Sequence, residues 1–200
     1  MGRSAVDVVL LPDKAMMDRA IEINRRLITD GRPEIVLSKE DCLPHISLAM
    51  GCINDADVNA IQERLEDLAG RTTVRQLRIV GVTSSINSRG ATTSILEVEK
   101  TEELQALHEQ VMKEMMPLFG PEVTEAMIYD NVVSGTTLDW IRTYPEKASY
   151  ERFSPHMTLG YGQVPPGLSF PIPFRVTRLA LCHLGNHCTC RKVLTSVGLG

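Results

Sequence analysis

The chain has 200 residues, of which 43% are hydrophobic and 23% are charged, and a formal net charge of -4. This length permits one sizeable core, and no apolar stretch approaches the roughly 20 residues that a membrane-spanning helix needs. The negative net charge argues against a broadly basic surface for long nucleic-acid tracts, although it leaves room for a local positive cleft.

The first half of the chain predicts alternating strands and helices. An apolar strand over 6–11 precedes a helix with Asp13 as its cap, and Gly31 and Pro33 end that helix. The elements that follow are a strand over 43–51, a helix over 55–68 ended by Gly70, and strands over 73–83 and 92–99 joined by a turn over 87–90.

The second half predicts a helix over 102–118, a stretch over 122–152 without a legible pattern, a strand over 153–162, and a hairpin of strands over 174–184 and 188–197. Gly185 and Asn186 are the predicted hairpin turn. This order predicts an α+β fold with a mostly antiparallel sheet. Because no linker divides the sequence, residues 1–200 are expected to form a single domain.

One nonamer occurs twice. Residues 43–51, Leu-Pro-His-Ile-Ser-Leu-Ala-Met-Gly, match residues 154–162, Ser-Pro-His-Met-Thr-Leu-Gly-Tyr-Gly. The Pro, the His, the central Leu and the last Gly are identical, and a hydroxyl residue follows each His by two positions. Two such segments, 111 positions apart, indicate a duplicated lobe.

Strand alternation gives this repeat a chemical meaning, since successive side chains point to opposite faces. One face of each strand should carry an imidazole, a hydroxyl and a small residue: His45, Ser47 and Ala49 in the first copy, and His156, Thr158 and Gly160 in the second. The small residues Ala49 and Gly160 would leave room for a ligand. Met50 and Tyr161 are predicted on the opposite, apolar faces.

Two imidazoles across a cleft suit phosphodiester chemistry. Imidazole titrates near neutral pH, so that one ring can accept a proton while the other donates one. His45 and His156 are therefore the candidate acid–base pair, in either order. The Ser47 and Thr158 hydroxyls are candidate donors to the phosphate oxygens. This scheme requires neither a metal nor another cofactor.

At these residues the sequence resembles the two-histidine (2H) phosphoesterase superfamily, whose signature is two His-x-Ser/Thr motifs. Pro-His-Ile-Ser-Leu at 44–48 and Pro-His-Met-Thr-Leu at 155–159 carry the resemblance. It implies a bilobal, pseudo-symmetric α+β fold, with two mostly antiparallel sheets facing a central cleft and helices outside. Members include 2′,3′-cyclic phosphodiesterases and the bacterial and archaeal enzymes called 2′–5′ RNA ligases.

The resemblance also implies an activity and a partner. The expected reaction is metal-independent hydrolysis of a 2′,3′-cyclic nucleotide or of an RNA terminal cyclic phosphate, or the related 2′–5′ transesterification. The partner is then a small cyclic nucleotide or an RNA 3′ end, with no membrane and no DNA expected. The alternative from another class is a module that binds a nucleotide or an RNA end without turnover.

Other polar residues allow further interpretations. Among the arginines that can rim a phosphate cleft, Arg152 is favoured because it lies four residues before His156; the others are Arg25, Arg26, Arg32, Arg89 and Arg142. Trp140 or a tyrosine can stack on a base or simply cover the core. His108 is interpreted as a solvated surface residue.

The cysteines raise the questions of metal binding and of location. A two-residue turn would pair His183 with Cys188 and direct Cys182 to the other face, away from Cys190, so we expect strand packing and no zinc site. Five cysteines, an odd number, without a secretory signal indicate reduced thiols and a cytoplasmic location.

Overall fold

The computed structural model describes residues 2–27, 34–86 and 92–200, and in these ranges it contains seven strands and four α-helices. They are, in chain order, β1 (Arg3–Pro12), α1 (Lys14–Leu27), β2 (Ile46–Asn54), α2 (Val58–Arg71), β3 (Gln76–Ile86), β4 (Thr92–Val98), α3 (Glu102–Met115), α4 (Gly135–Lys147), β5 (His156–Tyr161), β6 (Ile172–Leu184) and β7 (Cys190–Gly198). The α+β class is thus confirmed. The predicted helix end at Gly31 and Pro33 and the predicted turn over 87–90 lie outside the described residues.

All pairings in the sheet are antiparallel, and the strand order is β2-β1-β6-β3-β4-β5, with β7 also paired to β6. Residues 176–183 of β6 pair with β1, and residues 172–175 pair with β3. Two four-stranded lobes, β2-β1-β6-β7 and β5-β4-β3-β6, therefore share one long strand. The outer strands β2 and β5 approach each other, which gives the predicted bilobal arrangement with its central cleft.

Both nonamers contain a β-bulge at the same position. In the first lobe Leu48, directly after Ser47, has no partner on β1. In the second lobe Leu159, directly after Thr158, has no partner on β4. Because the extra residue of a bulge interrupts the ladder, the side chains that follow it change faces. The two lobes thus repeat their irregularities as well as their sequence.

Helix α1 follows the predicted pattern. The Asp13 carboxylate accepts a hydrogen bond from the Met16 backbone N–H at 2.9 Å, which confirms Asp13 as the cap. The helix buries an apolar stripe against the sheet. Burial of each large apolar side chain stabilises the fold by roughly 1.5–3 kcal/mol, so this stripe holds α1 in place.

The hairpin of β6 and β7 differs from its prediction. Leu184 pairs with Cys190, and the connection is a five-residue loop rather than a two-residue turn. This register brings Cys182 and Cys190 to the same face, where they form a disulfide. The expectation that all thiols are reduced is therefore wrong, and the bonded pair offers no thiolates to a metal.

Two further features concern metals and membranes. The part of the chain that the structure describes contains no cluster of three or more His, Cys, Asp or Glu side chains able to hold a metal ion. Of the described helices, none is both long enough and apolar enough to cross a membrane.

Candidate active site

A cavity of about 600 Å³ lies between the two lobes. The four side chains selected from the repeat, His45, Ser47, His156 and Thr158, all line it. His45 directly precedes β2, and His156 is the first residue of β5. The structure therefore brings residues that are 111 positions apart in the sequence to one cavity.

Both imidazoles are anchored in the same way. His45 Nδ1 lies 2.7 Å from the carbonyl oxygen of Leu43, and His156 Nδ1 lies 2.8 Å from the carbonyl oxygen of Ser154. A carbonyl oxygen only accepts, so each neutral ring carries its hydrogen on Nδ1. Nε2 of each ring is thereby left with a lone pair that can take a proton.

Burial lowers the pKa of the first imidazole, that of His45. The His45 side chain is 12% exposed, and burial lowers its pKa to about 4, helped by the nearby His156 and opposed by the Leu43 carbonyl group. A neutral imidazole is therefore expected at position 45 at neutral pH.

A carboxyl group that the motif did not reveal lies behind His45. Asp7 on β1 is fully buried, and its Oδ2 atom is 3.8 Å from His45 Nε2. Burial raises the pKa of Asp7 well above its ordinary value, although the Ser47 hydroxyl and the N–H groups of Ala49 and Leu48 oppose the shift. One acidic residue within an otherwise apolar strand was the sequence signal for this group.

The bulges correct the predicted faces of the two strands. Met50 and Tyr161 line the cavity together with the histidines, whereas strict alternation placed them on the opposite side. Ala49 is fully buried in the core instead. The extra residue of each bulge reverses the alternation after the hydroxyl residue, so the predicted ligand space at the small residues is absent.

The space beside Gly160 is taken by Asn24 of α1. The Asn24 amide donates to the carbonyl oxygens of Leu159 at 2.6 Å and Ile35 at 3.0 Å, and it accepts from the Leu37 N–H at 2.9 Å. A Cβ atom at Gly160, where φ is +130°, would lie 2.9 Å from the Asn24 amide nitrogen. Glycine at this position thus serves the contact between α1 and β5 rather than ligand binding.

Helix α4, in the stretch without a legible pattern, forms one wall of the cavity. Its lining side chains follow helical spacing: Thr136, Thr137, Trp140, Tyr144 and Lys147. Trp140 is 41% exposed, which leaves part of its ring available to a ligand. Ser134 caps the helix by accepting from the Thr137 N–H at 3.3 Å.

Only one of the candidate arginines lines the cavity in the described part of the chain. Arg152 does so, and its guanidinium donates to the Glu146 carbonyl oxygen. Arg26 pairs with a glutamate and Arg142 with an aspartate on the surface, and neither they nor Arg25 belong to the lining. Arg32 and Arg89 lie outside the described residues.

The loop between β6 and β7 closes another side of the cavity with His187, Cys188 and Thr189. His187 and Cys188 have positive φ angles of 59° and 54°, a conformation that non-glycine residues seldom adopt. The Thr137 hydroxyl accepts from the His187 N–H at 2.9 Å and helps to hold this backbone. Such strain is often found at functional sites, and sequence reasoning missed it because the loop was predicted as a turn.

His108 is buried, contrary to its prediction as a surface residue. Its Nδ1 atom donates to the Leu48 carbonyl oxygen at 2.8 Å, and Nε2 accepts from the Tyr150 N–H at 2.8 Å. Its ring also stacks on Phe153 at 3.9 Å between centroids. Since Leu48 belongs to the first nonamer and Phe153 directly precedes the second, His108 connects the two.

Comparisons with known proteins agree on one family and one fold. The model of the 2′-5′ RNA ligase superfamily matches residues 39–187, while no curated protein matches the sequence. The structure of TT0787 from Thermus thermophilus is similar, with a TM-score of 0.62 and 17% identity over 98% of this chain and 97% of that one. E. coli LigT complexed with NADP+ gives a TM-score of 0.59 and 16% identity over 99% of both chains.

Proposed function

Because the chain belongs to the 2′–5′ RNA ligase superfamily of two-histidine phosphoesterases, we propose that it hydrolyses 2′,3′-cyclic nucleotides or RNA terminal cyclic phosphates without a metal. The observation that carries this proposal is the pair of imidazoles, each anchored through Nδ1 to a backbone carbonyl group, on one cavity. A hydroxyl residue accompanies each imidazole on the same strand.

In the proposed mechanism His45 is the base. Its pKa of about 4 keeps Nε2 unprotonated at neutral pH, so this atom takes the proton that water loses as its oxygen bonds to phosphorus. The bond from phosphorus to one ribose oxygen breaks, and that oxygen receives the proton that His156 carries on Nε2. Ser47 and Thr158 donate hydrogen bonds to the non-bridging oxygens, and the product is a nucleoside monophosphate.

Features of the cavity and of one neighbour support a nucleotide substrate. Trp140 offers an aromatic face for a base, and Arg152 adds a cation to the lining of the same cavity. E. coli LigT has been solved in complexes with 3′-AMP and with phosphate. The first ligand is a nucleoside monophosphate, the class of product expected here, and the second is the free phosphate anion.

Phosphorus NMR of 2′,3′-cyclic AMP with the protein tests the proposal directly. We expect conversion to a monophosphate at an unchanged rate in the presence of a chelator, and the four cyclic nucleotides and a cyclic-ended oligonucleotide identify the preferred substrate. A chelator that stops the reaction would contradict the mechanism. Bound ligand without product would instead indicate a non-catalytic nucleotide-binding or RNA-end-binding module.

A second candidate reaction is transesterification that forms a 2′–5′ linkage. The cavity of about 600 Å³ favours it, because the nucleoside that carries the attacking 5′-hydroxyl must fit beside the cyclic phosphate. Here the 5′-hydroxyl of a second RNA replaces water as the nucleophile. An RNA with a cyclic end, mixed with a 5′-hydroxyl RNA, would then give a longer product, and RNA binding would weaken steeply with salt.

We also propose that the protein works in the cytoplasm: the Cys182–Cys190 disulfide weakens the sequence argument from reduced thiols, but Cys42, Cys52 and Cys188 remain free. Fractionation of cells that express the chain, followed by detection in each fraction, checks this location. Recovery of the chain outside the cytoplasm would contradict it.

A further inference from the structure

The two lobes differ at one position beside the histidines. Asp7 lies opposite Met50 in the pairing of β1 with β2. Met50 corresponds to Tyr161 in the second nonamer, and the residue opposite Tyr161 is Thr93 on β4. The duplicated arrangement therefore carries a carboxyl group on the His45 side and a hydroxyl group on the His156 side.

The surroundings of Asp7 favour its neutral form. The carboxyl group is fully buried, and neither oxygen has a hydrogen bond of standard geometry to a described residue. Within the described ranges, the one group at ion-pair distance from it is His45, which is itself neutral at neutral pH. A carboxylate here would be unfavourable for two reasons: its charge would be buried without a partner, and it would lie beside the proposed site of an anionic phosphate.

Tyr144 of α4 and Cys188 of the loop also interact with Asp7, and both are neutral near pH 7, since their ordinary pKa values lie above 7 and burial raises the pKa of each further. From β2, the Ser47 hydroxyl and the backbone N–H groups of Ala49 and Leu48 act on the carboxyl group and favour its ionised form, but burial, which favours the neutral form, is the larger effect and raises the pKa of Asp7. The polar environment of Asp7 thus consists of uncharged groups, among which Ser47 alone is a proposed phosphate ligand.

A serine hydroxyl has one proton to donate and two lone pairs with which to accept. If the neutral carboxyl O–H donates to Ser47 Oγ, the serine proton is free to point into the cavity. A carboxylate would instead draw that proton towards itself and away from the phosphate. The protonated state of Asp7 therefore decides in which direction the Ser47 hydroxyl donates.

We infer that Asp7 is a positioning residue of the first motif, which donates a hydrogen bond to the Ser47 hydroxyl and so directs the serine proton to a phosphate oxygen. This inference deepens the proposed function and rests on it. It also distinguishes the two hydroxyls, because Thr158 has no carboxyl counterpart at the equivalent position on β4.

The test compares Asp7→Leu with Asp7→Asn, since the asparagine amide keeps an N–H donor for Ser47 in a side chain of the same shape. We expect Asp7→Leu to lower kcat/KM about tenfold, the effect of one lost hydrogen bond, and Asp7→Asn to keep most of the activity. In a Ser47→Ala background Asp7→Leu should lower kcat/KM no further, whereas in the matched Thr158→Ala background it should again lower it about tenfold.

Two results would overturn the inference. One is a tenfold loss on Asp7→Leu that persists in the Ser47→Ala background, and the other is an Asp7→Asn variant as impaired as Asp7→Leu. A melting temperature of Asp7→Asn equal to or higher than that of the wild type shows that the fold of the variant is intact. If the wild type turns over none of the cyclic phosphates, the proposed function fails, and sulfate binding by calorimetry in the same variants still measures the coupling between Asp7 and Ser47.

Discussion

Each imidazole at the cavity is held by a carbonyl group two residues before it. This short-range bond fixes the neutral tautomer without a partner from another element. Each ring therefore keeps its orientation relative to its own strand, whatever the relative position of the two lobes. Loss of either ring would remove a proton acceptor or donor that no other described group on the cavity replaces at the same position.

At the residue scale, replacement of either histidine by alanine should lower kcat by about 10²–10⁴-fold, the usual contribution of a general acid or base. Initial rates with 2′,3′-cyclic AMP measure this effect. His183→Ala is the matched control, because His183 bonds the Met127 carbonyl oxygen at 2.9 Å and lies outside the described cavity lining. Full activity of His45→Ala or His156→Ala would rule out the assignment.

The acid limb of the pH profile reports on His45. Since its pKa lies at about 4, the base remains neutral above that pH and is lost as the pH falls through it. We therefore expect kcat/KM to decrease only below about pH 5 on this limb, one unit above the pKa. Circular dichroism at each pH separates this titration from unfolding. An acid limb close to 6.5 that disappears in His45→Gln would contradict the shift.

At the scale of elements, α4 gives the cavity its aromatic surface. Trp140 lines the cavity with part of its ring exposed, and polar residues of the same helix also belong to the lining. Because stacking depends little on base identity, we expect this helix to give affinity for the proposed nucleotide substrate without strong base selectivity.

Trp140→Ala should therefore raise KM for a cyclic nucleotide more than it lowers kcat. Stacking contributes roughly 1–3 kcal/mol per base, so an increase in KM of about 5-fold to 160-fold is expected. Steady-state kinetics over a range of substrate concentrations separate the two parameters. Arg142→Ala on the same helix is the control, since Arg142 does not line the cavity and pairs with Asp139 at a distance of 2.7 Å. An equal increase in KM in this variant would contradict a specific role of Trp140.

The sequence predicted elements well where the periodicity was unbroken. The cap of α1, the apolar stripes of α1, α2 and α3 and most strands follow from local pattern. In contrast, α4 contains Pro145 and few apolar residues, so its tertiary position supports a helix that the pattern does not reveal. The bulges after Ser47 and Thr158 are equally invisible to an alternating pattern. They explain why the histidines and hydroxyls were placed correctly while Met50 and Tyr161 were not.

Burial was the other quantity that the sequence did not supply. Asp7 and His108 are polar residues whose surroundings come from distant parts of the chain, and local pattern favours exposure for such residues. His108 is buried because Leu48 and Tyr150 satisfy both of its nitrogens. The disulfide was missed for a related reason, since the register of the β6–β7 hairpin depends on its loop.

At the scale of the whole molecule, the shared strand β6 makes the lobes interdependent. Its first residues pair with the second lobe and its later residues with the first, so neither lobe keeps its sheet if β6 is displaced. We propose that the 200 residues unfold as one domain. Coincident transitions by circular dichroism and by tryptophan fluorescence are expected, and two separate transitions would contradict the proposal.

The two buried histidines should make this single unit less stable in acid, whereas the raised pKa of Asp7 acts in the opposite direction. The pKa values of His45 and His108 are lowered from 6.5 to about 4 by burial, so the unfolded chain binds more protons than the folded one below pH 6.5. Their stability contribution is complete above 6.5 and is lost as the pH falls towards 4, by about 3 kcal/mol for each residue.

Urea denaturation at pH 7 and at pH 4 measures this loss of unfolding free energy. His108→Gln retains a donor and an acceptor but does not titrate in this range, so between pH 7 and pH 4 its unfolding free energy should lose less than that of the wild type. An identical pH dependence in the two proteins would show that His108 is not held neutral by the fold.

The matched anchoring of the two rings has a consequence for direction. Reversal of a catalysed reaction passes through the same transition state, so the ring that gave up its proton in one direction must recover it in the other. Both rings are anchored through Nδ1, so they can exchange these duties even though burial and Asp7 distinguish His45. If the chain opens a cyclic ester as proposed, the same two groups therefore also serve the reverse reaction. The direction of the net reaction in a cell would then follow from the concentrations of substrates and products rather than from the architecture of the site.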